Sequence, residues 1–423
     1  MLDIRFVTSH PEKVKDDLKK RNKADRIWMV DELMEDYKGW KTIKNEIDTL
    51  RHQRNALSEQ INKLKKEKKD APKLLAEVKD IPNKIKVKEE EGALLEKDIN
   101  DKLVQIPNLL HSSVPIGKDA EDNKEVRKWG KPVKPKFELL NHAELIEKLG
   151  CADFDTGRSN AGQGFNYLLG AMAQVDLALQ RYGIDFLLKK KFTPVIPPLL
   201  LNFKTLLGAV NGLQDFQDVV YKIENEDLYL VGTAEHPLVA LMKNKTLSSK
   251  ELPLRLCAVT PCFRKEIGAH GVDTKGLFRM HQFNKVEQVV YCHPDHSFKM
   301  LEEMQKITEE FVQSLEIPYR VIEICSGDLG AKLAKQYDIE AWFPRQNTYA
   351  EITSAGNCTD YQARSLNIRY QQGQDKNHVH ILNNTMVATS RNMVALLENF
   401  QQKDGSVNIP TVLQKYTGFK KIA

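Results

Sequence analysis

Apolar residues in the first hundred positions follow a helical repeat and not the alternation of a strand. Along an outgoing and a returning segment they recur at steps of three, four or seven: Leu33, Tyr37, Trp40, Ile43, Ile47, Leu50, Leu57, Ile61 and Leu64, then Leu74, Val78, Ile81, Ile85, Leu95, Ile99, Leu103 and Ile106. A turn signal at 69–72 separates the two. Narrow apolar seams with polar flanks predict an antiparallel two-helix coiled coil over about residues 30–105.

The length of these segments predicts a long projecting arm. Each helix would have about 34 residues and would extend about 50 Å, at about 1.5 Å per residue. Pro82 lies inside the returning helix. Its missing N–H costs about 3 kcal/mol unless the helix bends, so we expect a bend there or a frayed tip.

Lysines crowd the predicted tip of the arm: Lys63, Lys65, Lys66, Lys68, Lys69 and Lys73. Most such charge runs are solvated helix faces. A long exposed arm has little core to cover, however, and a cluster at its far end suits contact with nucleic-acid phosphates. The residues alone leave both interpretations open.

After residue 108 the pattern changes, and we expect a linker over 109–135 and a second domain over 136–423. Helices are predicted at 163–190, 297–315 and 391–402, and strands at 192–201, 228–231, 255–264, 278–290, 320–325, 348–354 and 378–382. Several of these strands follow one another without a crossover helix. The expected class is therefore α+β, with a mainly antiparallel sheet flanked by helices.

Composition narrows the classes of function. The chain has 423 residues, 41% hydrophobic and 29% charged, with a net charge of +5, which by itself identifies no partner. Six cysteines are scattered without a CxxC pair, so we expect neither a disulfide scaffold nor a structural zinc site. The expected location is the cytoplasm, where thiols stay reduced. We find no signal-peptide core and no apolar run long enough to span a membrane.

Two predicted strands joined by a polar, glycine-rich segment carry the first candidate chemistry. Arg264-Lys265-Glu266 ends one strand, and Arg279-Met280-His281-Gln282-Phe283 opens the next, which leads to Glu287. Arginine is a permanently charged, planar donor to oxyanions, and a phenylalanine can stack on a base. The chain contains neither GxGxxG nor a P-loop. Surface ion pairs and a core position explain Arg264, Glu266 and Phe283 about as well.

Glu351, Ser354 and Arg391 form a second candidate set. A carboxylate beside a hydroxyl suits Mg²⁺, which usually keeps waters and bridges phosphates. Their spacing alone does not exclude a capping or surface role.

Long motifs in a fixed order resemble the seryl-tRNA synthetases, a family of class II aminoacyl-tRNA synthetases. They are MLDI with the arm, IPNLLHSSVPIGKDAEDN, FTPVIPPLL, VGTAEHPL, TPCFRKEIGAHGVDTKGLFRMHQFNKVE, EICSGDLG, AEITSAGNCTDYQARSLNIRY and LNNTMVATSRNMVALLENFQQKDGSVNIPTVLQKYTGF. The resemblance covers nearly the whole chain. NCTDYQARSLNIRY and KYTGF resemble archaeal and eukaryotic members more than bacterial ones.

This resemblance implies a serine–tRNA ligase that uses ATP and Mg²⁺ and no zinc. Serine would be bound by Thr233, Ala234, Glu235, Arg264, Glu287 and Thr385. ATP would be bound by Arg264, Lys265, Glu266, Met280, His281, Gln282, Phe283, Glu351, Ile352, Thr353, Ser354 and Arg391, with Glu351 and Ser354 on the metal and Arg264 and Arg391 as catalytic residues. The tip lysines would bind tRNA(Ser) across a homodimer whose interface includes Pro197; charging of tRNA(Sec) stays open.

Three departures from the family pattern weaken individual contacts. Gly232 stands where a proline commonly precedes Thr233, Ala350 where an arginine commonly precedes Glu351, and Gly356 where a serine is usual. The alternatives are a catalytically inactive, RNA-binding paralogue and a class II ligase for threonine or proline. The intact set of Arg264, Glu266, Glu351 and Arg391 argues against the first, and the arm and Thr385 argue against the second.

Overall fold

The computed structural model describes residues 1–210, 219–266 and 276–423. Its internal contacts divide the chain into two units. The arm unit comprises Leu2–Lys19 and Lys23–Ile106, and the sheet unit comprises Met1, Lys20–Asn22 and Pro107–Ala423. Each unit is described separately below.

The N-terminal part of the chain is helical. Its helices are α1 (Ile4–Ser9), α2 (Pro11–Lys20), α3 (Ile27–Lys66) and α4 (Pro72–Gln105), with a short 3₁₀ turn at Ala24–Arg26. Because α3 has 40 residues, it extends about 60 Å, which is longer than predicted. Pro82 lies inside α4 without interrupting it, and a bend at this proline stays a prediction.

α3 and α4 pack antiparallel along the predicted apolar seam. Ile47, Ile81 and Ile85 are buried together. A Cβ added at Gly39 would lie 3.3 Å from Leu95, and one added at Gly92 would lie 3.4 Å from a methyl of Ile43, so the two helix backbones approach closely there. Ion pairs such as Arg51–Glu89 at 2.8 Å flank the seam. The predicted two-helix coiled coil is confirmed.

The sheet unit contains a main sheet with eight strands among the described residues, in the order β1-β10-β11-β12-β15-β9-β8-β4. Neighbouring strands are antiparallel except for the parallel pair β4 and β8. The strands of this unit are β1 (Lys124–Trp129), β2 (Ala152–Asp153), β3 (Tyr167–Leu168), β4 (Thr193–Pro194), β5 (Leu200–Leu201), β6 (Tyr229–Leu230), β7 (Thr246–Ser248), β8 (Leu254–Phe263), β9 (Gln282–Cys292), β10 (Tyr319–Glu323), β11 (Lys335–Phe343), β12 (Thr348–Asn357), β13 (Arg369–Gln372), β14 (Asp375–His378), β15 (His380–Ala388), β16 (Val407–Asn408) and β17 (Lys421–Ile422). The predicted α+β class is confirmed.

Helices cover this sheet and supply much of its core. They are α5 (His142–Lys148), α6 (Phe154–Ala161), α7 (Gly170–Lys189), α8 (Phe203–Val210), α9 (Glu235–Ala240), α10 (Ser297–Ser314), α11 (Tyr361–Ser365), α12 (Thr389–Phe400) and α13 (Thr411–Thr417), with 3₁₀ turns at Ala120–Asp122, Ser249–Glu251 and Pro294–His296. Leu179 of α7, Phe311 of α10 and Leu396 of α12 are buried with Ile339 and Val387 of the sheet. Throughout the described ranges, every helix is too short or too polar to cross a membrane.

Several elements differ from the sequence prediction. The prediction of a strand over 192–201 is wrong for most of that segment, where only the short strands β4 and β5 form. Pro197 and Pro198 lie between them and have no N–H to donate to a strand ladder. The helix predicted from 163 begins only at Gly170. β1 lies within the segment expected to be a linker, where its charged, largely exposed edge gives no apolar alternation.

The most informative omission is β11, a central strand that the sequence did not predict. Its residues are mostly buried, yet they include Lys335, Asp338 and Glu340. Buried polar residues break the apolar run by which a central strand is usually recognised.

Candidate active site

A pocket of about 270 Å³ opens where β9, β12 and β15 meet the start of α12. Its walls are formed by Glu235, Arg264, Glu266, Phe278, Arg279, Met280, Phe283, Lys285, Lys332, Leu333, Glu351, Ile352, Ser354, Asn383, Thr385, Ala388, Ser390 and Arg391. The pocket therefore brings together residues that lie more than a hundred positions apart in the sequence.

Strand geometry explains why these side chains meet. Alternate residues of a strand point to one face, which places Phe283, Lys285 and Glu287 of β9 together. β15 pairs antiparallel with β9, and Thr385 lies directly opposite Glu287. The hydroxyl of Thr385 donates to Oε1 of Glu287 at 3.2 Å.

Glu287 is a fully buried carboxylate behind the pocket wall, bonded to Thr385 of the lining. Its Oε2 lies 3.0 Å from Nζ of Lys285 and accepts from the hydroxyl of Thr233 at 3.5 Å. Burial raises the pKa of Glu287, and the nearby Glu235 adds to the rise, while Lys285 opposes it. A further positive partner at this site would offset the rise in the pKa of Glu287 and favour its ionised form.

Glu235 begins α9 and is also buried. It forms an ion pair with Lys332 and accepts from the amides of Gln362 at 2.9 Å and Asn383 at 3.0 Å. Burial alone would raise the pKa of Glu235, yet the Lys332 ammonium above all lowers it to about 2. This carboxylate stays ionised at neutral pH.

Arg264 lines the pocket together with Glu235 and Thr385. Its Nε donates to the carbonyl of Gly232 at 3.1 Å, and its guanidinium lies 5.5 Å from the ring centre of Phe283. The carbonyl and the ring fix the plane of the guanidinium, whose remaining N–H groups are suited to an oxyanion. Glu266 lines the same pocket and has a left-handed backbone, with φ of 48°.

Arg391, near the start of α12, also lines the pocket. It forms an ion pair with Glu351 at 3.0 Å and donates to the carbonyl of Glu351 at 3.1 Å. Its guanidinium lies 5.5 Å from the ring centre of Phe278. Both charged side chains remain partly exposed, with 30% of Arg391 and 45% of Glu351 accessible.

Ser354 and Asp338 form a polar pair beside Glu351. The amide of Gln336 donates to both, at 2.9 Å to Oδ1 of Asp338 and 3.0 Å to the hydroxyl of Ser354. Burial raises the pKa of Asp338 to about 8, and the charge of Glu351 contributes to the rise.

Glu351 offers a carboxylate, Ser354 a hydroxyl and Asp338 a further oxygen, and oxygen donors are the ligands that Mg²⁺ prefers. Glu351 and Ser354 both line the pocket. Besides burial, the negative charge of Glu351 raises the pKa of Asp338, and a bound cation would offset that repulsion. The residues present therefore fit Mg²⁺ together with substrate phosphates.

Comparison with known proteins identifies the family. Residues 1–110 match the seryl-tRNA synthetase N-terminal domain, and residues 220–400 match the tRNA synthetase class II core domain (G, H, P, S and T). A serine–tRNA ligase of Methanospirillum hungatei is 49% identical over the full length of both chains. The chain belongs to the seryl-tRNA synthetase family. Its membership makes it a ligase of the serine–tRNA type, and none of these comparisons supports an inactive paralogue.

Solved structures of seryl-tRNA synthetases have the same fold. The crystal structure of seryl-tRNA synthetase from Pyrococcus horikoshii complexed with ATP has a TM-score of 0.93 and 46% identity, covering 100% of this chain and 99% of that one. The cytoplasmic serine–tRNA ligase of Naegleria fowleri, in complex with AMP, has a TM-score of 0.88 and 34% identity, covering 100% and 98%. The resemblance inferred from the motifs is thereby confirmed.

The synthetase pocket contains many of the residues predicted from the sequence. They are Glu235, Arg264, Glu266, Met280, Phe283, Glu351, Ile352, Ser354, Thr385 and Arg391. Glu287 lies directly behind its wall, where it accepts from the hydroxyls of Thr385 and Thr233. Ile352 is the extra residue of an irregularity between β11 and β12, which interrupts strict alternation along β12.

Other predicted residues are outside this wall. Ala234 and Thr353 are buried, and Gln282 is exposed. His281 bonds the hydroxyl of Tyr221 at 2.6 Å, and the backbone N–H of Lys265 donates to Val219. Their roles in binding serine or ATP stay predictions, and the glycine-rich segment at 267–275 lies outside the described residues.

The structure also adds wall residues that the sequence analysis did not select. Lys285 lies two positions before Glu287 on β9, and Asn383 two positions before Thr385 on β15. Because alternate residues of a strand share a face, the sequence could have predicted both. Phe278 is another such wall residue, and its ring lies beside the guanidinium of Arg391. Lys332 lies on a turn, and no periodicity connects it to the pocket.

The departures from the family pattern have different structural settings. The space beside Gly356 is occupied by Leu333, since an added Cβ would lie 2.3 Å from a Leu333 methyl. Gly232 offers its carbonyl to Arg264. Ala350 is partly buried against the main core. A side chain at 356 would have to displace the side chain of Leu333.

Proposed function

We propose that this pocket activates L-serine with ATP and then transfers it to tRNA(Ser). The observation that carries the proposal is that Arg264 lines one pocket with Thr385, which bonds the buried Glu287, and with the Glu351–Arg391 ion pair. A guanidinium at this point can neutralise the carboxylate of an amino acid and the α-phosphate of ATP at the same time.

The serine end is assigned from its hydrogen-bonding capacity. Thr233, Glu235 and Glu287, with Ala234 in the same segment, receive the substrate ammonium. Thr385 is the partner of the serine hydroxyl, and it is held in place by its bond to Glu287. A buried site that hydrogen-bonds a substrate hydroxyl discriminates against alanine, because its polar groups are then left unpaired.

The ATP end is assigned from charge and aromatic surface. Arg264 and Lys265 contact the α-phosphate region, and Glu266 accepts from the adenine amino group. The segment Met280, His281, Gln282 and Phe283 lies along the nucleotide, with Phe283 stacked on the base. Arg391 covers the other face and contacts the γ-phosphate, and Glu351 to Ser354, including Ile352 and Thr353, form the phosphate side of the site.

The reaction requires positioning and charge stabilisation more than a side-chain nucleophile. The serine carboxylate attacks the α-phosphate in line; the bond to the β-phosphate breaks, and pyrophosphate leaves. A terminal ribose hydroxyl of tRNA then attacks the seryl carbonyl, and AMP leaves. Arg264 stabilises the negative charge on the α-phosphate, and Arg391 that on the departing pyrophosphate. When bound by Glu351 and Ser354, Mg²⁺ would supply further charge neutralisation there.

The arm is assigned to tRNA. Lys63, Lys65, Lys66, Lys68, Lys69 and Lys73 are all exposed at the end of the coiled coil. Exposed lysines can neutralise phosphates without a desolvation cost. We further propose a cytoplasmic homodimer, with the arm serving the partner's site and Pro197 at the interface; Ile196, next to Pro197, is fully exposed.

An amino-acid panel in ATP–pyrophosphate exchange tests the proposal. Serine should support exchange, whereas alanine, threonine and proline should support little. Exchange with threonine or proline alone would identify a different class II ligase. No exchange with any amino acid, by a folded protein, would indicate an inactive RNA-binding paralogue.

A further inference from the structure

Lys332 is a lysine inside the substrate pocket that the proposed reaction does not use. It lies on the turn before β11, and its side chain is only 18% exposed. Its ammonium is paired with Oε1 of Glu235. A buried lysine is costly unless it is paired, and here its partner is a wall residue of the amino-acid pocket.

The turn that carries Lys332 is fixed by hydrogen bonds from outside it. Arg21 donates to the carbonyl of Leu333 at 2.6 Å. Asn108 donates through its backbone N–H to Ala331 at 2.7 Å and through its amide to the carbonyl of Lys332 at 3.0 Å. Together with the packing of Leu333 against Gly356, these bonds place Lys332 far more firmly than a surface lysine.

The lone pairs of Glu235 show what this placement does. Oε1 accepts from both Lys332 and Gln362, so its two acceptor positions are filled. Among the described residues, Oε2 accepts only from Asn383, which leaves it one further acceptor position.

We propose that Lys332 is a positioning residue for amino-acid recognition: it holds Oε1 of Glu235 and so presents Oε2 to the ammonium group of the substrate. The inference rests on the proposed role of Glu235 in binding serine. Lys332 itself does not touch the substrate.

Electrostatics gives this arrangement a distinctive pH signature. Apart from each other, the titratable groups that act on Glu235 or Lys332 are His236, Glu287 and Cys358, while Arg264 and Lys285 act on the neighbouring His236. Burial lowers the pKa of His236 to about 3, so His236 is neutral near pH 7 and cannot replace Lys332. Without Lys332, burial would raise the pKa of Glu235 and favour its protonated form at the lower end of the neutral range.

The test is steady-state ATP–pyrophosphate exchange with Lys332→Met, which keeps the length of the side chain but removes its charge. KM for serine should rise about tenfold near pH 7.5, the loss expected for one charge-assisted hydrogen bond, while KM for ATP stays within about twofold. The ratio of variant to wild-type serine KM should increase further as the pH is lowered. Lys332→Arg should restore most of the affinity, because it returns a positive donor.

Lys335→Met is the matched control. Lys335 lies three positions away, its side chain is 10% exposed, and it pairs with Glu323 at 3.2 Å outside the pocket wall. Loss of this pair should leave KM for serine unchanged. If Lys332→Met does not fold, Lys332→Gln gives the same measurement with a neutral donor.

Two outcomes would overturn the inference. One is a serine KM that is unchanged in the folded variant; the other is an equal rise in Lys332→Met and Lys335→Met, which would indicate a general structural effect. Both require that the wild type exchanges with serine. A wild type that does not would overturn the proposed function instead, so the two failures are distinguishable.

Discussion

The pocket and the tip of the arm both concentrate lysines, but they hold them in opposite ways. In the pocket, Lys285 and Lys332 are 12% and 18% exposed, and each is paired with a buried glutamate. At the tip the lysines are exposed, and the pair between Lys69 and Glu67 has side chains 66% and 41% accessible.

This difference separates two kinds of recognition. Buried charges interact strongly with fixed partners, so one substitution disturbs an entire network. Exposed charges are screened by salt and are worth little singly, so a basic tip contributes through many phosphate contacts. We expect steep, residue-specific effects in the pocket and distributed, salt-sensitive effects on the arm.

The largest effect should come from Arg264→Ala. Removing the charge that neutralises both reacting groups should lower serine-dependent ATP–pyrophosphate exchange by about 10²–10³-fold or more. Arg255→Ala is the control. Arg255 lies on β8, the strand that leads to Arg264, and it pairs with Glu303 at a distance of 2.7 Å; neither residue lines the pocket. Near-normal exchange by folded Arg264→Ala would contradict the assignment.

Deleting residues 45–95 and rejoining the helices with a short turn should separate the two regions. ATP–pyrophosphate exchange should stay within about twofold of the wild type, while tRNA charging falls by about 100-fold, because the phosphate contacts that steer the tRNA are lost. Wild-type charging should itself weaken as salt is added. Equal losses in both assays would contradict a separate tRNA-binding role for the arm.

A heterodimer sharpens that test. One subunit lacks the arm, and the other carries Arg264→Ala. If each arm serves the partner's site, the remaining active site receives tRNA from the intact arm, and charging is retained. Serine activation without charging would instead show that an arm serves its own subunit.

Glu287→Gln should have a smaller effect that is confined to serine. The amide keeps the volume but loses the charge, so KM for serine should rise about 10–100-fold with little change in ATP binding. Since burial raises the pKa of Glu287, the wild-type serine KM should also rise as the pH is lowered, because the carboxyl becomes neutral. That component should disappear in the variant. A loss of ATP affinity with unchanged serine affinity would reassign the residue.

Asp338→Asn should give the smallest effect, a gain in stability without ligands. The pKa of Asp338 is raised to about 8 in the folded chain, above the value of about 3.9 for an unfolded aspartate. Between these values only the folded chain holds the proton, so the group destabilises the fold increasingly as the pH rises. The variant's increase in Tm should therefore be larger near pH 8 than near pH 5. An increase that does not depend on pH would contradict the buried-charge explanation.

Local patterns predicted the arm better than the sheet. The apolar seam of α3 and α4 repeats over many turns, so the period alone identified it. β11 was missed because Asp338 and other polar residues interrupt its apolar run, and two of them, Lys335 and Glu340, find their partners only once β10 is beside it. β1 was missed because an exposed, charged edge strand has little pattern of its own.

The same limit applies to the pocket. Without the resemblance, Arg264 was equally compatible with a surface ion pair and Glu351 with a capping or surface role, and the sequence did not show that they share one pocket. Lys285 and Asn383 could have been found by stepping two residues along a strand from Glu287 and Thr385. Lys332 could not, because it reaches Glu235 across nearly a hundred residues of chain.

The sequence by itself determined the arm, the order of the motifs and, through them, the family. These depend on local periodicity and on residue identity at fixed spacing, which the chain carries wherever it folds. The tertiary structure decided which charges are buried and which partner each one has. Glu235 and Glu287 are both buried at this site, yet their pKa values shift in opposite directions. The fold brings Lys332 from a distant segment to Glu235, whereas Lys285, two residues from Glu287 on the same strand, does not offset the burial of that carboxyl.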